Sequence, residues 1–227
     1  THVALVHCET TTGILNPLPE IAAAVAGAGR HLLLDAMSSF GALPVDLVTQ
    51  PVAAVLASSN KCLEGVPGIG FALVREEMLA ARKGNSPSVS LDLEAQWRGF
   101  ESNGQWRFTP PVQVVAALVE ALRLLEAEGG PEARRARYAN NLRVLLAGMR
   151  RMGFDLYLDE AVQAPIIATF RSPEGFGFRR FYDALAERGF LIYPGKLTQA
   201  ESFRIGCIGA LGQGDFERLL AAVEEVR

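Results

Sequence analysis

The sequence predicts an α/β domain followed by a small α+β domain. Short apolar runs without polar alternation, such as AAVLASS and GIGFALV, are typical of strands that helices cover on both faces. Early in the chain such runs alternate with a helical pattern, whereas the last part carries shorter strand and helix patterns in turn. We therefore assign residues 1–130 to a large domain and residues 131–227 to a small C-terminal domain.

The large domain begins with a predicted βαβ unit. HVALVHCE has the composition of a buried strand, PLPEIAAAVAGAG that of a helix closed by Gly27 and Gly29, and RHLLLDAM that of the next strand. Two further short strands follow. In open sheets of this class, ligands bind outside the carboxyl ends of the parallel strands, so a site is expected at those ends.

A polar stretch, RGFESNGQWRFTPP, comes next, and we expect it to be an irregular, mobile segment. A long helix then starts after Pro110 and Pro111, because proline favours the first helical turn. Its apolar residues recur at helical spacing and predict one apolar face, at Val112, Val115, Val119 and Leu122. Beyond the break at Gly129, a second helix leads into the small domain, whose pattern is strand, helix, strand, helix, over APIIATFRS, GFRRFYDALAERGF, FRIGCIG and DFERLLAAVEEV.

The composition excludes several classes of function. With 227 residues, 49% hydrophobic content and a formal net charge of -3, the chain has the composition of a soluble globular protein. It has no basic block with interleaved aromatics, which argues against a nucleic-acid partner. Its apolar runs fall short of the roughly 20 residues that span a bilayer, and it has no signal peptide, so we expect a cytoplasmic protein without membrane association.

The cysteines and the first residues of the chain support two further expectations. Cys8, Cys62 and Cys207 are an odd number without metal-ligand spacing, so we expect reduced thiols and no metal site. The chain opens at Thr1 inside a β-branched apolar run, without an initiator Met or a polar lead-in. On this ground we expect an N-terminally truncated protein.

Two charged residues follow predicted strands at the expected edge of the sheet. Asp35 ends the run HLLLD, and Lys61 comes 26 residues later (61 − 35), after the next strand. An amine and a carboxylate in one crevice suit a pyridoxal phosphate enzyme, in which the lysine forms a Schiff base and the carboxylate pairs with the pyridine nitrogen. By spacing alone, Asp35 as a turn cap and Lys61 as a solvated loop lysine remain open alternatives.

Four segments, HCETTTGILNPL, DAMSSFGALPVD, SSNKCLEGVPGIGF and FRIGCIG, together resemble the class V, fold-type I aminotransferases. The resemblance implies a fold-type I pyridoxal phosphate-dependent transferase, with a partial large domain, a mainly parallel sheet and a small α+β domain. It implies pyridoxal 5′-phosphate as cofactor. Lys61 then matches the Schiff-base lysine, and Asp35 matches the partner of the pyridine nitrogen.

The resemblance also implies roles for three other residues. Thr11 matches a hydroxyl beside the cofactor ring oxygen, although a turn-forming threonine is the alternative. Thr109 matches a threonine that reaches the cofactor phosphate of a neighbouring subunit, which implies a homodimer; a helix N-cap is the alternative. Arg204 matches the arginine that binds the substrate carboxylate, since its planar fork suits two-point contact, and an edge-strand arginine is the alternative.

Within the family, the implied reaction transfers the amino group of 2-aminoethylphosphonate to pyruvate, giving phosphonoacetaldehyde and L-alanine, a step of phosphonate degradation. An aminotransferase of the alanine–glyoxylate or serine–pyruvate type would share the same lysine, aspartate and arginine positions. A truncated, non-catalytic fragment that keeps the dimerisation surface is the alternative from a different class.

Overall fold

The computed structural model describes residues 1–227. The strands are β1 (His2–Val6), β2 (Cys8–Glu9), β3 (Ile14–Leu15), β4 (His31–Asp35), β5 (Val52–Ser58), β6 (Gly70–Val74), β7 (Ile167–Arg171), β8 (Tyr193–Pro194) and β9 (Ser202–Gly206). The helices are α1 (Leu18–Gly27), α2 (Glu76–Ala80), α3 (Leu93–Asn103), α4 (Val112–Glu128), α5 (Gly130–Arg151), α6 (Phe178–Glu187) and α7 (Gln213–Val226), with a 3-10 turn at Glu160–Val162. No helix is both long enough and apolar enough to cross a membrane.

The larger sheet has the strand order β1-β4-β5-β6. The first three strands are parallel and β6 runs antiparallel to β5, so the mixed α/β fold with a mainly parallel sheet is confirmed. Helix α1 crosses from β1 to β4 and buries Leu18 and Ala22 against Leu32, Leu34 and the strands beside them, as the predicted βαβ unit requires.

The first strand differs from its prediction as a buried element. Strand β1 ends at Val6, and its first three residues, from His2 to Ala4, are exposed. It forms one end of the sheet and pairs only with β4. Its apolar composition therefore predicted a strand correctly, but the expectation that helices cover both of its faces was wrong.

The C-terminal part contains a three-stranded antiparallel sheet, in the order β7-β9-β8. Its core is aromatic and centres on Phe203, which is fully buried. The ring centroid of Phe203 lies 5.5 Å from those of Phe154, Phe176 and Phe181 and 5.6 Å from that of Phe170. Helices α5, α6 and α7 close this core, so the predicted succession of strands and helices is confirmed, with the short β8 added.

A third cluster of buried side chains joins the two sheets. Cys8 and Cys62 from the N-terminal part pack with Tyr138 of α5 and with Ile166 and Ile167 at the start of β7. The predicted boundary between residues 130 and 131 lies beside the junction of α4 and α5, where Gly129 and Gly130 have φ angles of 109° and 81°. The assignment of two domains stays a prediction.

The polar stretch before α4 is not wholly irregular, because α3 occupies its first part. The carboxylate of Asp92 accepts the backbone N–H of Ala95 at 3.0 Å and caps the helix start, and Gly104 in the left-handed region ends it at φ 72°. Both are strong sequence signals for helix ends. The prediction missed the helix because it began the segment at Arg98, after the cap.

The predicted apolar face of α4 exists but does not face the core. Val112 and Val119 are 59% and 54% exposed, whereas Ala121 and Leu125 are buried. The small alanine allows the helix to lie close to the lysine-bearing turn described below. Val112, Val119 and Leu122 consequently face outward.

We expect Phe203→Ala to lower the free energy of unfolding by about 3–5 kcal/mol, because it leaves a cavity inside the aromatic core. Leu91→Ala removes an apolar side chain from a position that is 76% exposed and should change the free energy by no more than roughly 0.5 kcal/mol. Urea unfolding followed by circular dichroism measures both. Equal losses in the two variants would contradict a core centred on Phe203.

Candidate active site

Lys61 lies in the turn that follows β5, and its side chain is exposed. Backbone contacts fix this turn. The hydroxyl of Ser58 donates to the carbonyl oxygen of Met37 at 3.2 Å, and that of Ser59 donates to the carbonyl oxygen of Val66 at 2.6 Å. Both serine hydroxyls therefore stabilise the turn that carries the exposed Lys61.

Asp35 ends β4 and is exposed at the carboxyl end of the sheet. One carboxylate oxygen accepts the backbone N–H of Met37 at 2.9 Å, which is the contact of a turn cap. The other oxygen has no hydrogen-bond partner within the chain. Lys61 follows the carboxyl end of the adjacent parallel strand, so the two residues share one edge of the sheet without forming an ion pair.

A cleft of about 280 Å³ lies beside this end of the sheet, and residues from both the N-terminal and the C-terminal part of the chain line it. Lys61 and Arg204, which the sequence singled out, both line it. Its other polar lining side chains are Thr10, Ser38, Tyr193 and Lys196. Asp35, Thr11 and Thr109 lie outside the lining.

Arg204 is 93% buried, since only 7% of its surface remains exposed. It lies on β9, the central strand of its sheet, so it is not the edge-strand arginine of the alternative interpretation. Its Nε donates to the carbonyl oxygen of Pro194 at 3.1 Å, and its Nη1 donates to that of Thr10 at 2.9 Å. No carboxylate pairs with it, and burial lowers the pKa of the guanidinium. A buried cation without a counter-ion is suited to binding an anionic ligand.

The threonine turn, Thr10–Thr12, lies between β2 and β3, close to the cleft. Thr10 lines the cleft, whereas Thr11 contributes its carbonyl oxygen to the hydroxyl of Thr169 at 3.3 Å. Three consecutive threonines gave no sequence signal to decide which of them lines the cleft. Thr10 is therefore a cleft residue that the sequence analysis did not name, and a role for Thr11 beside the cofactor stays a prediction.

Thr109 lies in an exposed segment before α4. The helix begins after Pro111, and no side chain caps it. The alternative interpretation of Thr109 as an N-cap is therefore wrong. Its hydroxyl has no hydrogen-bond partner within the chain.

Ion pairs between two arginines of α5 and two glutamates stabilise the turn that carries Lys61. Glu64, which has a left-handed φ of 59°, accepts hydrogen bonds from Tyr138 at 2.5 Å and from Arg137 at 2.9 Å. Arg134 donates to the carbonyl oxygen of Cys62 at 2.7 Å and pairs with Glu128 at 2.6 Å. The hydrogen bond from Arg137 is the main cause that lowers the pKa of Glu128.

The network extends to the C-terminal part, because Nη1 of Arg137 donates to the carbonyl oxygen of Gly209 at 2.5 Å. Sequence analysis did not identify these residues. Their spacing on α5 places positions 134, 137 and 138 on one helix face, which is a usable signal. The acidic partners, however, are distant in sequence.

The two remaining candidate groups near the cleft are structural. His7 is buried, its Nδ1 lies 3.0 Å from the hydroxyl of Ser39, and burial lowers its pKa to about 4, so the ring is neutral. Cys62 is buried, and burial raises the pKa of its thiol to about 12.

Comparison with known proteins gives consistent matches over nearly the whole chain. The family described as "Aminotransferase class-V" matches residues 1–201. The 2-aminoethylphosphonate–pyruvate transaminase of Burkholderia ambifaria is 56% identical over 227 residues, and the protein of that name from Rhizobium meliloti is 53% identical. These alignments cover 99% of this chain but only 61% and 59% of the two relatives. The chain thus spans about three fifths of their length.

Solved structures agree with this similarity. Pyridoxamine–pyruvate aminotransferase from Mesorhizobium loti superimposes with a TM-score of 0.90 and 28% identity, covering 100% of this chain and 59% of that one. Alanine–glyoxylate aminotransferase from Nostoc sp. superimposes with a TM-score of 0.89 and 25% identity, covering 99% and 61%. The predicted fold class, fold type I of the pyridoxal phosphate-dependent transferases, is confirmed.

We expect Arg134→Met to lower the free energy of unfolding by about 3 kcal/mol, because it leaves two carboxylates and a carbonyl oxygen without their buried partner. Arg135→Met is the matched control, since Arg135 is exposed on the same helix. Denaturant titration at neutral pH compares the two variants. A loss no larger than that of the control would show that the network contributes little to holding the lysine turn.

Proposed function

Because the chain belongs to the class-V aminotransferase family, we propose that it carries the lysine and the substrate-binding arginine of a pyridoxal 5′-phosphate-dependent transaminase. The reaction is transfer of the amino group of 2-aminoethylphosphonate to pyruvate, giving phosphonoacetaldehyde and L-alanine. The observation that carries this proposal is the meeting of Lys61 and Arg204, from the two different sheets, in one cleft. The names of the similar proteins support the choice of substrates.

The polar groups in the cleft and at the adjacent carboxyl end of the sheet suit the cofactor. Lys61 supplies an amine without an ion-pair partner, Asp35 has a free carboxylate oxygen at the same sheet edge, and Thr10 adds a hydroxyl. When bound, the cofactor supplies the carbonyl carbon that exchanges the amino group and a ring that takes up electrons from the broken C–H bond. These three residues would hold it.

Each residue then has a distinct task. Asp35 holds a proton at the pyridine nitrogen of the cofactor, because a carboxylate favours the charged form of a neighbouring base. The amine of Lys61 would move a proton from the substrate carbon to the cofactor carbon in one half-reaction and from the cofactor carbon to the substrate carbon in the other. Arg204 binds the carboxylate of pyruvate or alanine and, in the other half-reaction, the phosphonate. Burial of Arg204 strengthens these charge-assisted hydrogen bonds.

We also propose that the chain acts as a homodimer and resides in the cytoplasm. Exposed apolar side chains form a strip along α4 and the segment before it, which we call the α4 strip; its members are Trp106, Phe108, Val112, Val119 and Leu122. Apolar patches of this kind mark protein interfaces. Thr109 lies within the strip, so a second copy docked there supports the proposed contact of Thr109 with the neighbouring cofactor phosphate. The buried, unpaired state of the three cysteines supports the location.

We expect pyridoxal 5′-phosphate, after borohydride reduction, to remain covalently attached to Lys61, and peptide mass spectrometry locates the label. Lys61→Ala should remove it. Lys83→Ala is the matched control and should be labelled like the wild-type chain, because Lys83 lies on an exposed loop outside the cleft. A label on Lys83 or Lys196 would contradict the assignment of Lys61.

The choice of amino donor tests the reaction itself. With pyruvate as acceptor, 2-aminoethylphosphonate should give phosphonoacetaldehyde and L-alanine. With glyoxylate as acceptor, it should also be a better donor than alanine or serine. Faster transfer from alanine or serine would favour an enzyme of the alanine–glyoxylate or serine–pyruvate type. A labelled Lys61 without any transfer would favour the non-catalytic alternative.

We expect Val119→Lys to lower the molar mass of the dimer to that of the monomer, because a charge in the middle of the α4 strip opposes its burial. Val48→Lys is the matched control, since Val48 is 91% exposed in the loop between β4 and β5. Light scattering after size-exclusion chromatography measures the mass. A monomeric wild-type chain, or identical behaviour of both variants, would contradict the proposed interface.

A further inference from the structure

The charge of the cleft is one-sided. Three cationic side chains line it, those of Lys61, Lys196 and Arg204, and its lining contains no aspartate or glutamate. None of the ion pairs within the chain involves Lys196. A cleft lined by one sign of charge attracts ligands of the opposite sign, and more strongly when the ligand carries two charges. With Lys61 assigned to the cofactor, two cations remain for the substrate.

The hydrogen bonds of Arg204 limit what it can offer to that substrate. A guanidinium has five N–H donors, and two of the nitrogen atoms of Arg204 already donate to the carbonyl oxygens of Pro194 and Thr10. Three N–H donors remain, on Nη1 and Nη2, but the planar fork pairs with only two oxygens of one anion, as in a carboxylate. A phosphonate has a third oxygen and a second negative charge, and these need another donor.

The backbone places Lys196 in the same cleft as Arg204. Strand β8 pairs Tyr193 with Arg204, and the backbone N–H of Gly195 then donates to the carbonyl oxygen of Ser202 at 2.8 Å. A methyl group at Gly195 would overlap both the hydroxyl and the carbonyl oxygen of Ser202, so only glycine allows this close approach. Lys196 leaves the strand directly after this fixed point and lines the cleft.

We propose that Lys196 is the residue that makes the site selective for a phosphonate over a carboxylate. Its ammonium group donates a hydrogen bond to the third phosphonate oxygen, which Arg204 leaves without a partner, and balances the second negative charge. The carboxylates of pyruvate and alanine need Arg204 alone. This inference rests on the proposed function and deepens it. It assigns the phosphonate to Arg204 and Lys196 together, and the carboxylate that replaces it in the other half-reaction to Arg204 alone.

Binding of unreactive anions tests the proposal directly. Ethylphosphonate and propionate lack an amino group and differ in the anionic head, and calorimetry gives their dissociation constants with and without pyridoxal 5′-phosphate. The wild-type chain should bind ethylphosphonate more tightly. Lys196→Met should reduce that preference roughly tenfold or more, as expected for the loss of a charge-assisted hydrogen bond. Lys196→Arg, which keeps the charge, should retain most of the preference.

Lys83→Met removes the same charge outside the cleft and should leave the preference unchanged. An unchanged preference in Lys196→Met, an equal loss for both anions, an equal effect of Lys83→Met, or no measurable binding of ethylphosphonate by the wild-type chain would each overturn the proposal. Circular dichroism spectra that match the wild type confirm that the variants are folded.

The half-reactions separate this proposal from the function on which it rests. In Lys196→Met, kcat/KM should fall for 2-aminoethylphosphonate and stay near the wild-type value for L-alanine. A wild-type chain that prefers ethylphosphonate but transfers no amino group from 2-aminoethylphosphonate would refute the proposed function and leave the role of Lys196 in place. Transfer that is equally fast in Lys196→Met would refute the role and leave the function in place.

Discussion

The contact between Arg134 and the carbonyl oxygen of Cys62 is the interaction on which the geometry of the site depends. It links α5 to the residue next to Lys61, and the carboxylates of Glu64 and Glu128 surround the two arginines that stabilise the turn. Charge-assisted hydrogen bonds in a partly buried network reinforce one another, but the loss of one member leaves the others without compensation. The residues that fix the position of Lys61 therefore lie outside the cleft that Lys61 and Arg204 line.

The network explains a backbone conformation that would otherwise be unfavourable. Glu64 is the only residue other than glycine with a positive φ, a region that L-residues rarely occupy. Its carboxylate binds both Arg137 and Tyr138, and these contacts offset the conformational cost. Two sets of contacts thus stabilise the turn after β5: the hydrogen bonds of the Ser58 and Ser59 hydroxyls and the ion pairs of Glu64.

Much of the fold was predictable because it depends on local patterns. The βαβ unit, the long α4 and the alternation in the C-terminal part follow from apolar periodicity and from proline and glycine at the ends of elements. The positions of Asp35 and Lys61 at one sheet edge follow from the rule for parallel strands. Their motifs, together with that of Arg204, also carry the resemblance to the family.

The remaining features depend on tertiary contacts that no local pattern contains. Which threonine faces the cleft is decided by the contacts of Arg204 and Thr169 with the threonine turn. The outward orientation of Val119 depends on the packing of Ala121 and Leu125. Periodicity identifies an apolar face but not its partner, so the α4 strip could be predicted as a face and not as an exposed surface.

The hydrogen bond between Arg204 and Thr10 spans 194 residues of the chain, and that between Thr169 and Thr11 spans 158. Contacts between such distant residues form slowly. The chain must give up the conformational entropy of a long loop before the contact contributes any stabilisation. During synthesis, which proceeds from the N-terminus, Lys61 is available long before Arg204 has left the ribosome. We therefore expect the cleft to be among the last features of the molecule to form, so that an anion bound in it stabilises only the fully folded chain.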